Sequence, residues 1–314
     1  MTNNEMPSRH GVKVSSEDGR STDGSAYPNE TMKLLIERAS CRNFSDEKIP
    51  PDVLQLVLEA GVHAATGGNL QPYSIIKIED EETRQKLAEW CDQAFIRKAP
   101  TLLLFCIDWH RIERWAHLEV APFTATSSFR HFWISFQDTM ICAQNICTAA
   151  DALGLGSVYI GTVLEFFPEL QKVFQLPKGV FPVVLLCLGY PKTRPRPRRK
   201  LGVEVIVHAE RYHEMADQEL LDAFNEKYPG HRVQITEERL ETIAEVCREV
   251  HGEEFARRCV ERIREMGYIN PVQRYFGLHY RANALPKSNN DYLKLMEEFG
   301  FNWFKTYQPF EEQD

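Results

Sequence analysis

The chain has 314 residues, 43% of them apolar and 11% aromatic, which suffices for one large domain or two smaller domains with their own cores. Its net charge of -8 and pI near 5.8 argue against nucleic acid as a partner, because duplex binding normally needs a basic surface. No apolar run approaches the roughly 18 residues of a membrane span, and the N-terminus lacks the order of a signal peptide, so we expect a cytoplasmic protein without a membrane partner.

Residues 1–29 are polar and nearly free of large apolar side chains, which predicts a disordered N-terminal tail. A helix is expected to begin near Thr31 and to continue through Arg38. The pair Pro50-Pro51 marks the start of a second helix. The buried face of that second helix is predicted, from helical spacing, to consist of Val53, Leu56, Val57 and Ala60.

Strands and helices then alternate along the chain. The predicted order is a strand at Tyr73–Ile78, a charged helix at 81–91, a buried strand at 101–107, a long helix at 130–153, a strand at 157–160, a helix near 165–174 and a strand at 183–188. The long helix carries few charges, so it should be covered on most sides by its own domain or by a second subunit. The pattern indicates an α+β or α/β layered domain over residues 30–213.

Beyond His208 the composition becomes helical and charged, with helices predicted at 237–250 and 253–266 and no strong strand signal. We expect residues 214–314 to form a helical extension that packs on the core or on a partner subunit. The eight cysteines include several within apolar runs, such as Cys106 and Cys187, and no CxxC spacing occurs. Free structural thiols are therefore predicted rather than disulfides or zinc ligands.

Four short segments, at residues 38–42, 66–72, 154–162 and 194–200, suit different parts of one phosphorylated flavin. Arg38 and Arg42 are spaced one helical turn apart, so both guanidinium groups could grip a phosphate with Ser40 beside them. Each segment alone also has a plainer explanation. Arginines near a helix end often face its dipole, Gly154 stands where a helix stop needs left-handed dihedrals, and a Pro-Arg run is commonly a solvated linker.

Taken together and in order, these segments resemble the flavin-dependent nitroreductase superfamily, in the branch of oxygen-insensitive NAD(P)H nitroreductases and flavin reductases. The resemblance spans about residues 33–212 and is most specific in Gly-Leu-Gly-Ser-Val-Tyr-Ile-Gly at 154–161, in Leu-Cys-Leu-Gly-Tyr-Pro at 186–191 and in the basic run that follows. It implies an α+β fold with a central mixed sheet flanked by helices. It also implies an obligate homodimer with FMN at the subunit interface, followed here by the helical C-terminal extension.

The resemblance also assigns the cofactor contacts by motif position. The implied FMN-binding residues are Arg38, Ser40, Arg42, Thr66, Gly67, Asn69, Gln93, Tyr159, Ile160, Gly161, Thr162, Arg198 and Lys200. The arginines, Ser40 and Lys200 would address the phosphate and ribityl chain, Gln93 the pyrimidine edge, and Gly161 and Thr162 the region of flavin N5 and O4. Some relatives carry a lysine near flavin N1, and the nearest cations here are Arg97 and Lys98. No metal site is expected.

The implied activity is transfer of hydride from NAD(P)H to FMN and then of electrons to a nitroaromatic, quinone or flavin acceptor, with ping-pong kinetics. No side chain is expected to act as a nucleophile or general base. Two alternatives stay open. One is a specialised flavoenzyme on the same scaffold, such as a dehalogenase, an ene-reductase or a flavin-breakdown enzyme, with an aromatic lid at residues 109–129. The other is a non-catalytic FMN-carrying interaction module.

Overall fold

The computed structural model describes residues 27–308. The tail predicted for residues 1–29 therefore lies, except for its last three residues, outside the described part of the chain. The chain forms two compact units: the first runs to Pro197 and resumes at Phe299, and the second is Arg198–Glu298. The domain boundary expected after residue 213 lies inside the second unit.

The first unit combines seven helices with four strands among the described residues. In chain order they are α1 (Glu30–Glu37), α2 (Pro51–Val62), β1 (Tyr73–Ile78), α3 (Glu81–Trp90), α4 (Phe95–Lys98), β2 (Thr101–Asp108), α5 (His110–Leu118), α6 (Phe129–Ala152), β3 (Gly156–Ile160), α7 (Phe167–Phe174) and β4 (Val180–Gly189). The predicted strands and the long helix agree with these bounds to within about three residues. Helix α5, inside the predicted lid, had no counterpart among the predicted elements.

The four strands form one sheet in the order β1-β2-β4-β3, and each of the three pairings is antiparallel. The expectation of a mixed sheet is therefore wrong for the described strands. The register of the β1–β2 pair shows why these strands are antiparallel. Ile78, the last residue of β1, lies opposite Leu102 at the beginning of β2, so after α3 and α4 the chain enters β2 at the same end of the sheet at which it left β1.

The two central strands are buried along their whole length, which explains why they read as uninterrupted apolar runs. Pro182 lies within central β4, where a proline removes a donor from the hydrogen-bond ladder. The register between β2 and β4 shifts at Phe105 and Cys106, and Cys106 is the residue opposite Pro182. A β-bulge at this point accommodates the proline.

Helix α6 packs against all four strands and against α2. Its buried residues, most of them small or polar, are Ser135, Asp138, Thr139, Cys142, Ala143, Ile146, Cys147 and Ala150. On the opposite side Trp133, Phe136 and Ile141 are exposed within this chain. Helix α6 ends as predicted, because Gly154 follows it with a φ of 84°.

Helix α2 packs on α6 through a different face from the predicted one. Leu54, Val57 and Gly61 are buried, whereas Leu56 is 55% exposed. A Cβ at Gly61 would lie 2.4 Å from Ile146 Cγ1, so the glycine lets the two helix backbones approach closely. The apolar residues of α2 fit two overlapping faces at helical spacing. The close contact between Gly61 and Ile146 selects the face that includes Gly61.

The C-terminal segment returns to the first unit and enters its core. Phe299, Phe301 and Trp303 are each at most 2% exposed, and Phe299 packs edge-on to Phe181 of β4. The Phe299 carbonyl accepts a hydrogen bond from Gly179 N at 2.8 Å. This part of the predicted helical extension is therefore a non-helical strap that belongs to the first unit.

The second unit is helical. Its described helices are α8 (Val203–Ile206), α9 (Asp217–Lys227), α10 (Glu237–His251), α11 (Glu253–Met266), α12 (Pro271–Arg274) and α13 (Asn289–Glu298). Leu240, Ile243, Ile263 and Ile269 form its core. The predicted lack of strands holds apart from one isolated bridge between Val233 and Ile269.

All eight cysteines lie in the described chain as free thiols, and six are buried. Over residues 27–308 we find no helix that is both long enough and apolar enough to cross a bilayer.

Candidate functional site

The first predicted flavin segment lies outside any helix. Helix α1 ends at Glu37, and Arg38 has extended dihedrals (φ -57°, ψ 135°). The prediction that Arg38 and Arg42 share a helical turn is therefore wrong. Of the residues that follow it, Ser40 and Arg42 are exposed and Cys41 is buried. The backbone N–H of Cys41 donates to the Ser157 carbonyl at 2.9 Å, which ties the segment to β3.

Arg38 belongs to a polar cluster at the end of α6. Its Nη2 donates to Ser157 Oγ at 2.8 Å, and its Nε lies 3.1 Å from Asp151 Oδ2 in an ion pair that lacks hydrogen-bond geometry. The other oxygen of Asp151 accepts a hydrogen bond from Arg194 Nη1 at 3.2 Å, and the same nitrogen donates to the Leu155 carbonyl. Burial raises the pKa of Asp151, and the two arginines act in the opposite direction.

The end of β3 and the Gln93 loop meet on an accessible rim. Gln93 Nε2 donates to Thr162 Oγ1 at 3.4 Å, and the Arg42 guanidinium stands 6.0 Å from the Phe95 ring centroid. Gly161 is exposed, and a Cβ there would meet no atom within 4 Å. Through these contacts Arg42, Gln93, Gly161 and Thr162 line one rim, and the space directly over Gly161 could admit a flat ring.

Tyr159 and Ile160 contribute differently from these rim residues. Ile160 is buried, and the Tyr159 hydroxyl is buried beside Cys147, where burial raises the pKa of Tyr159 far above its usual range. Any contact of Ile160 with a cofactor must therefore come from its backbone, whereas the ring of Tyr159 is only half-buried.

The second predicted segment forms a short 3-10 turn over Gly67–Asn69 before β1. Both carboxylate oxygens of Asp138, on α6, accept from the Gly67 N–H at 3.1 Å. Asn69 adopts a left-handed backbone with a φ of 55°, which exposes its side chain on the turn. Thr66 Oγ1 is buried without a hydrogen-bond partner. A ligand atom could supply the hydrogen-bond partner that this hydroxyl lacks.

The structure does not bring the two segments together within one chain. The Gly67 turn precedes edge strand β1, whereas Arg38 is bound to the opposite edge strand, β3. Both are anchored to α6, through Asp138 and Asp151. Thirteen residues of α-helix separate these anchors by about 20 Å.

The remaining predicted cations are Arg198, Lys200, Arg97 and Lys98. Arg198 and Lys200 are exposed and belong to the second unit. Arg97, one of the two candidates for flavin N1, forms an exposed ion pair with Glu81 at 3.0 Å. Within residues 27–308, no three His, Cys, Asp or Glu side chains cluster in a way that could hold a metal ion.

Sequence reasoning missed three residues that organise this region: Asp138, Asp151 and Arg111. Arg111 Nη2 donates to the carbonyls of Gln71 and Tyr73, both at 2.8 Å, and so links lid helix α5 to the loop before β1. A signal for the two aspartates was available. They are the only acidic residues of α6, and a buried carboxylate on a helix with so few charges requires a partner.

The residues present fit FMN. Arg42 has no carboxylate partner in the described chain and can pair with a phosphate. Gly161 offers an unobstructed backbone, and Thr66 Oγ1 is an unsatisfied polar atom. These features match a cationic phosphate contact, a flat ring surface and a polar ring-edge contact.

Comparison with known proteins gives consistent matches. The sequence profile of the Nitroreductase family matches residues 35–190. The NADPH-flavin oxidoreductase of Vibrio harveyi is 31% identical over 188 residues, covering 60% of this chain and 76% of that protein. The oxygen-insensitive NADPH nitroreductase of Salmonella typhimurium is 31% identical over 198 residues, covering 63% and 80%. The structure of NADPH:FMN oxidoreductase from Vibrio harveyi complexed with NAD+ superposes with a TM-score of 0.59 at 29% identity, over 63% of this chain and 84% of that one.

Proposed function

Because the chain belongs to the nitroreductase family, we propose that it passes electrons from NAD(P)H, through bound FMN, to a nitroaromatic, quinone or flavin acceptor. It is an FMN-dependent NAD(P)H oxidoreductase. When bound, FMN supplies the redox chemistry by accepting hydride at N5 and then releasing electrons to the acceptor. The protein's own residues bind the cofactor, orient it and leave one face open to two successive ligands.

The single observation that carries this proposal is the rim formed by Arg42, Gln93, Gly161 and Thr162. Arg42 supplies a free cation for the phosphate, and the Gln93–Thr162 pair supplies polar groups for the ring edge. The open space over Gly161 leaves room for stacking of a nicotinamide or an acceptor. None of these residues need act as a nucleophile, because the cofactor carries the reactive atom.

A homodimer with FMN between its subunits is part of the proposal. It is supported by the exposed face of α6, where Trp133, Phe136 and Ile141 form an apolar surface of the kind that protein interfaces cover. It is also supported by the separation of the Gly67 turn from the Arg38 segment on opposite edges of the sheet. A second copy would supply the Gly67 turn that the first copy holds too far away. The same copy would cover the α6 face.

The experiment is the flavin content of the purified protein, measured by absorbance near 450 nm after dialysis. Wild-type protein should be yellow and dimeric, and Arg42→Ala should lose most of its FMN because the phosphate loses its unpaired cation. Arg262→Ala in the second unit, also an exposed arginine, is the control and should keep its flavin. Equal flavin in Arg42→Ala and wild type would contradict the phosphate assignment. Colourless wild type that takes up no added FMN would contradict the whole proposal.

Anaerobic titration separates the proposed activity from its alternatives. NADH or NADPH should bleach the flavin band, and an added quinone or nitroaromatic should restore it. A flavin that resists both nucleotides would instead favour a specialised reaction with another reductant or a non-catalytic flavin carrier.

A further inference from the structure

We infer that Asp151 is a positioning residue, which holds the Arg38 guanidinium in place for the FMN phosphate while Arg194 occupies its second oxygen. The inference rests on the proposed function, since it concerns the same cofactor. It assigns a role to Asp151, which neither the motifs nor the proposed chemistry uses, and to Arg194, which begins the basic segment but was not among the implied FMN-binding residues.

Two contacts hold the Arg38 guanidinium group, one a hydrogen bond and the other an ion pair. Nη2 donates to Ser157 Oγ at 2.8 Å, and Nε faces Asp151 Oδ2 at 3.1 Å. The described residues provide no hydrogen-bond acceptor for Nη1, so this nitrogen is available to a ligand. Because Ser157 belongs to β3 and Asp151 to α6, two rigid elements hold the group, as precise ligand placement requires.

Because Arg194 also pairs with Asp151, the Arg38–Asp151 ion pair is not an isolated neutral pair. Its Nη1 donates to Asp151 Oδ1 at 3.2 Å and to the Leu155 carbonyl at 3.1 Å. One carboxylate thus serves two guanidinium groups, and one positive charge is left over. Such a surplus would be unfavourable in a purely structural ion pair, but it suits a dianionic phosphate.

The surroundings preserve this surplus. A cleft of about 950 Å³ beside Arg38 is lined by four cationic and three carboxylate side chains, which leaves one excess positive charge. The lining charges are Lys33, Arg38, Arg194 and Arg196 against Glu30, Glu37 and Asp151. Ser40 and Arg42 follow Arg38 in the chain and are exposed, but they do not line this cleft.

Replacing Asp151 by Asn distinguishes positioning from simple charge repulsion, because the two predict opposite signs. If Asp151 acts on a bound phosphate only through its negative charge, Asp151→Asn should tighten FMN binding. If Asp151 positions Arg38, Asp151→Asn should weaken FMN binding, by about tenfold in Kd. Riboflavin lacks the phosphate, so its Kd should stay within about twofold of the wild-type value.

The experiment measures FMN and riboflavin dissociation constants of the full-length apoprotein by quenching of flavin fluorescence. The variants are Asp151→Asn, Arg38→Ala and their double mutant, with Asp138→Asn as the control from the same helix. Asp138 anchors the Gly67 turn, and the neighbouring Thr66 hydroxyl suits a ring-edge contact that FMN and riboflavin share, so Asp138→Asn should change both dissociation constants by the same factor. In the Arg38→Ala background, Asp151→Asn should no longer weaken FMN binding, because the group that it positions is gone.

A loss of FMN affinity that is specific to FMN and absent without Arg38 supports the inference. Equal weakening of FMN and riboflavin would assign Asp151 a structural role, and unchanged or tighter FMN binding would exclude positioning. Either result overturns the inference and leaves the proposed function standing. Wild-type protein that binds neither flavin would overturn both.

Discussion

Truncation of Trp303 tests whether the C-terminal strap is part of the core of the first unit. The Trp303 side chain is 2% exposed, and its Nε1 donates to the Ala125 carbonyl at 3.0 Å. Its ring stacks on Phe301 with centroids 3.9 Å apart and lies 5.1 Å from the Phe132 ring of α6. The indole thus joins the strap, the turn before α6 and α6 itself.

We expect Trp303→Ala to lower the free energy of unfolding by about 3–5 kcal/mol, the usual range when a large buried aromatic side chain is removed. Most of this loss comes from the cavity left between Phe301 and Phe132. The unpaired Ala125 carbonyl adds to it, because a buried acceptor without a donor costs about 1–3 kcal/mol unless water reaches it. The upper part of the range is therefore expected.

The assay is urea unfolding followed by circular dichroism, since removing a tryptophan alters fluorescence directly. Trp115→Ala is the matched control. Its ring is 52% exposed and makes one cation–π contact, with Arg111 at 5.4 Å, so its removal should cost about 1 kcal/mol or less. If Trp303→Ala were no more destabilising than Trp115→Ala, the strap would not be a structural part of the unit.

Two further predictions concern packing and titration on α6. Gly61→Ala should destabilise the fold by about 1–3 kcal/mol in the same urea assay, because its new Cβ would overlap Ile146; a neutral result would mean that α2 is loosely packed. Burial raises the pKa of Asp138 despite the hydrogen bond from Gly67. The Gly67 amide resonance should therefore titrate at a pH above the ordinary aspartate pKa of about 3.9. Because the folded pKa is the higher one, this group stabilises the fold at low pH and loses that contribution as pH rises through the folded pKa, and Asp138→Asn should abolish the titration.

The elements that the sequence predicted best are those whose local pattern admits one solution. The central strand β2 is a short apolar run bounded by polar residues, and β1 was predicted at its observed bounds. The end of α6 was predicted because the left-handed backbone at Gly154 is a property of the residue itself. The family assignment was also available from the order of four short segments, and the comparisons confirm it.

The errors arose where a local pattern was compatible with two arrangements. The spacing of Arg38 and Arg42 fits a helical turn and also alternation along an extended chain, and only the end of α1 at Glu37 distinguishes them. The buried face of α2 was predicted incorrectly for the same reason, because its apolar residues fit two overlapping faces at helical spacing. Strand direction cannot be read from an apolar run, because β2 would look the same in either orientation.

The candidate site likewise contains some residues that the sequence predicted and others that it did not. Arg42, Gln93, Gly161 and Thr162 were named from their motif, and their role in FMN binding stays a prediction. The anchors Asp138 and Asp151 were not named, because their partners Gly67 and Arg38 are 71 and 113 residues away in sequence.

The sequence by itself determined where the strands and long helices lie, to which family the chain belongs and which cofactor chemistry it carries, because these depend on residue type and short-range spacing. Only the tertiary structure decided the antiparallel order of the strands, the return of Phe299–Trp303 to the first unit and the sharing of Asp151 between Arg38 and Arg194. These features depend on contacts between segments that are distant in the chain. The free energies that select them come from burial and charge pairing, and neither is encoded in a local pattern.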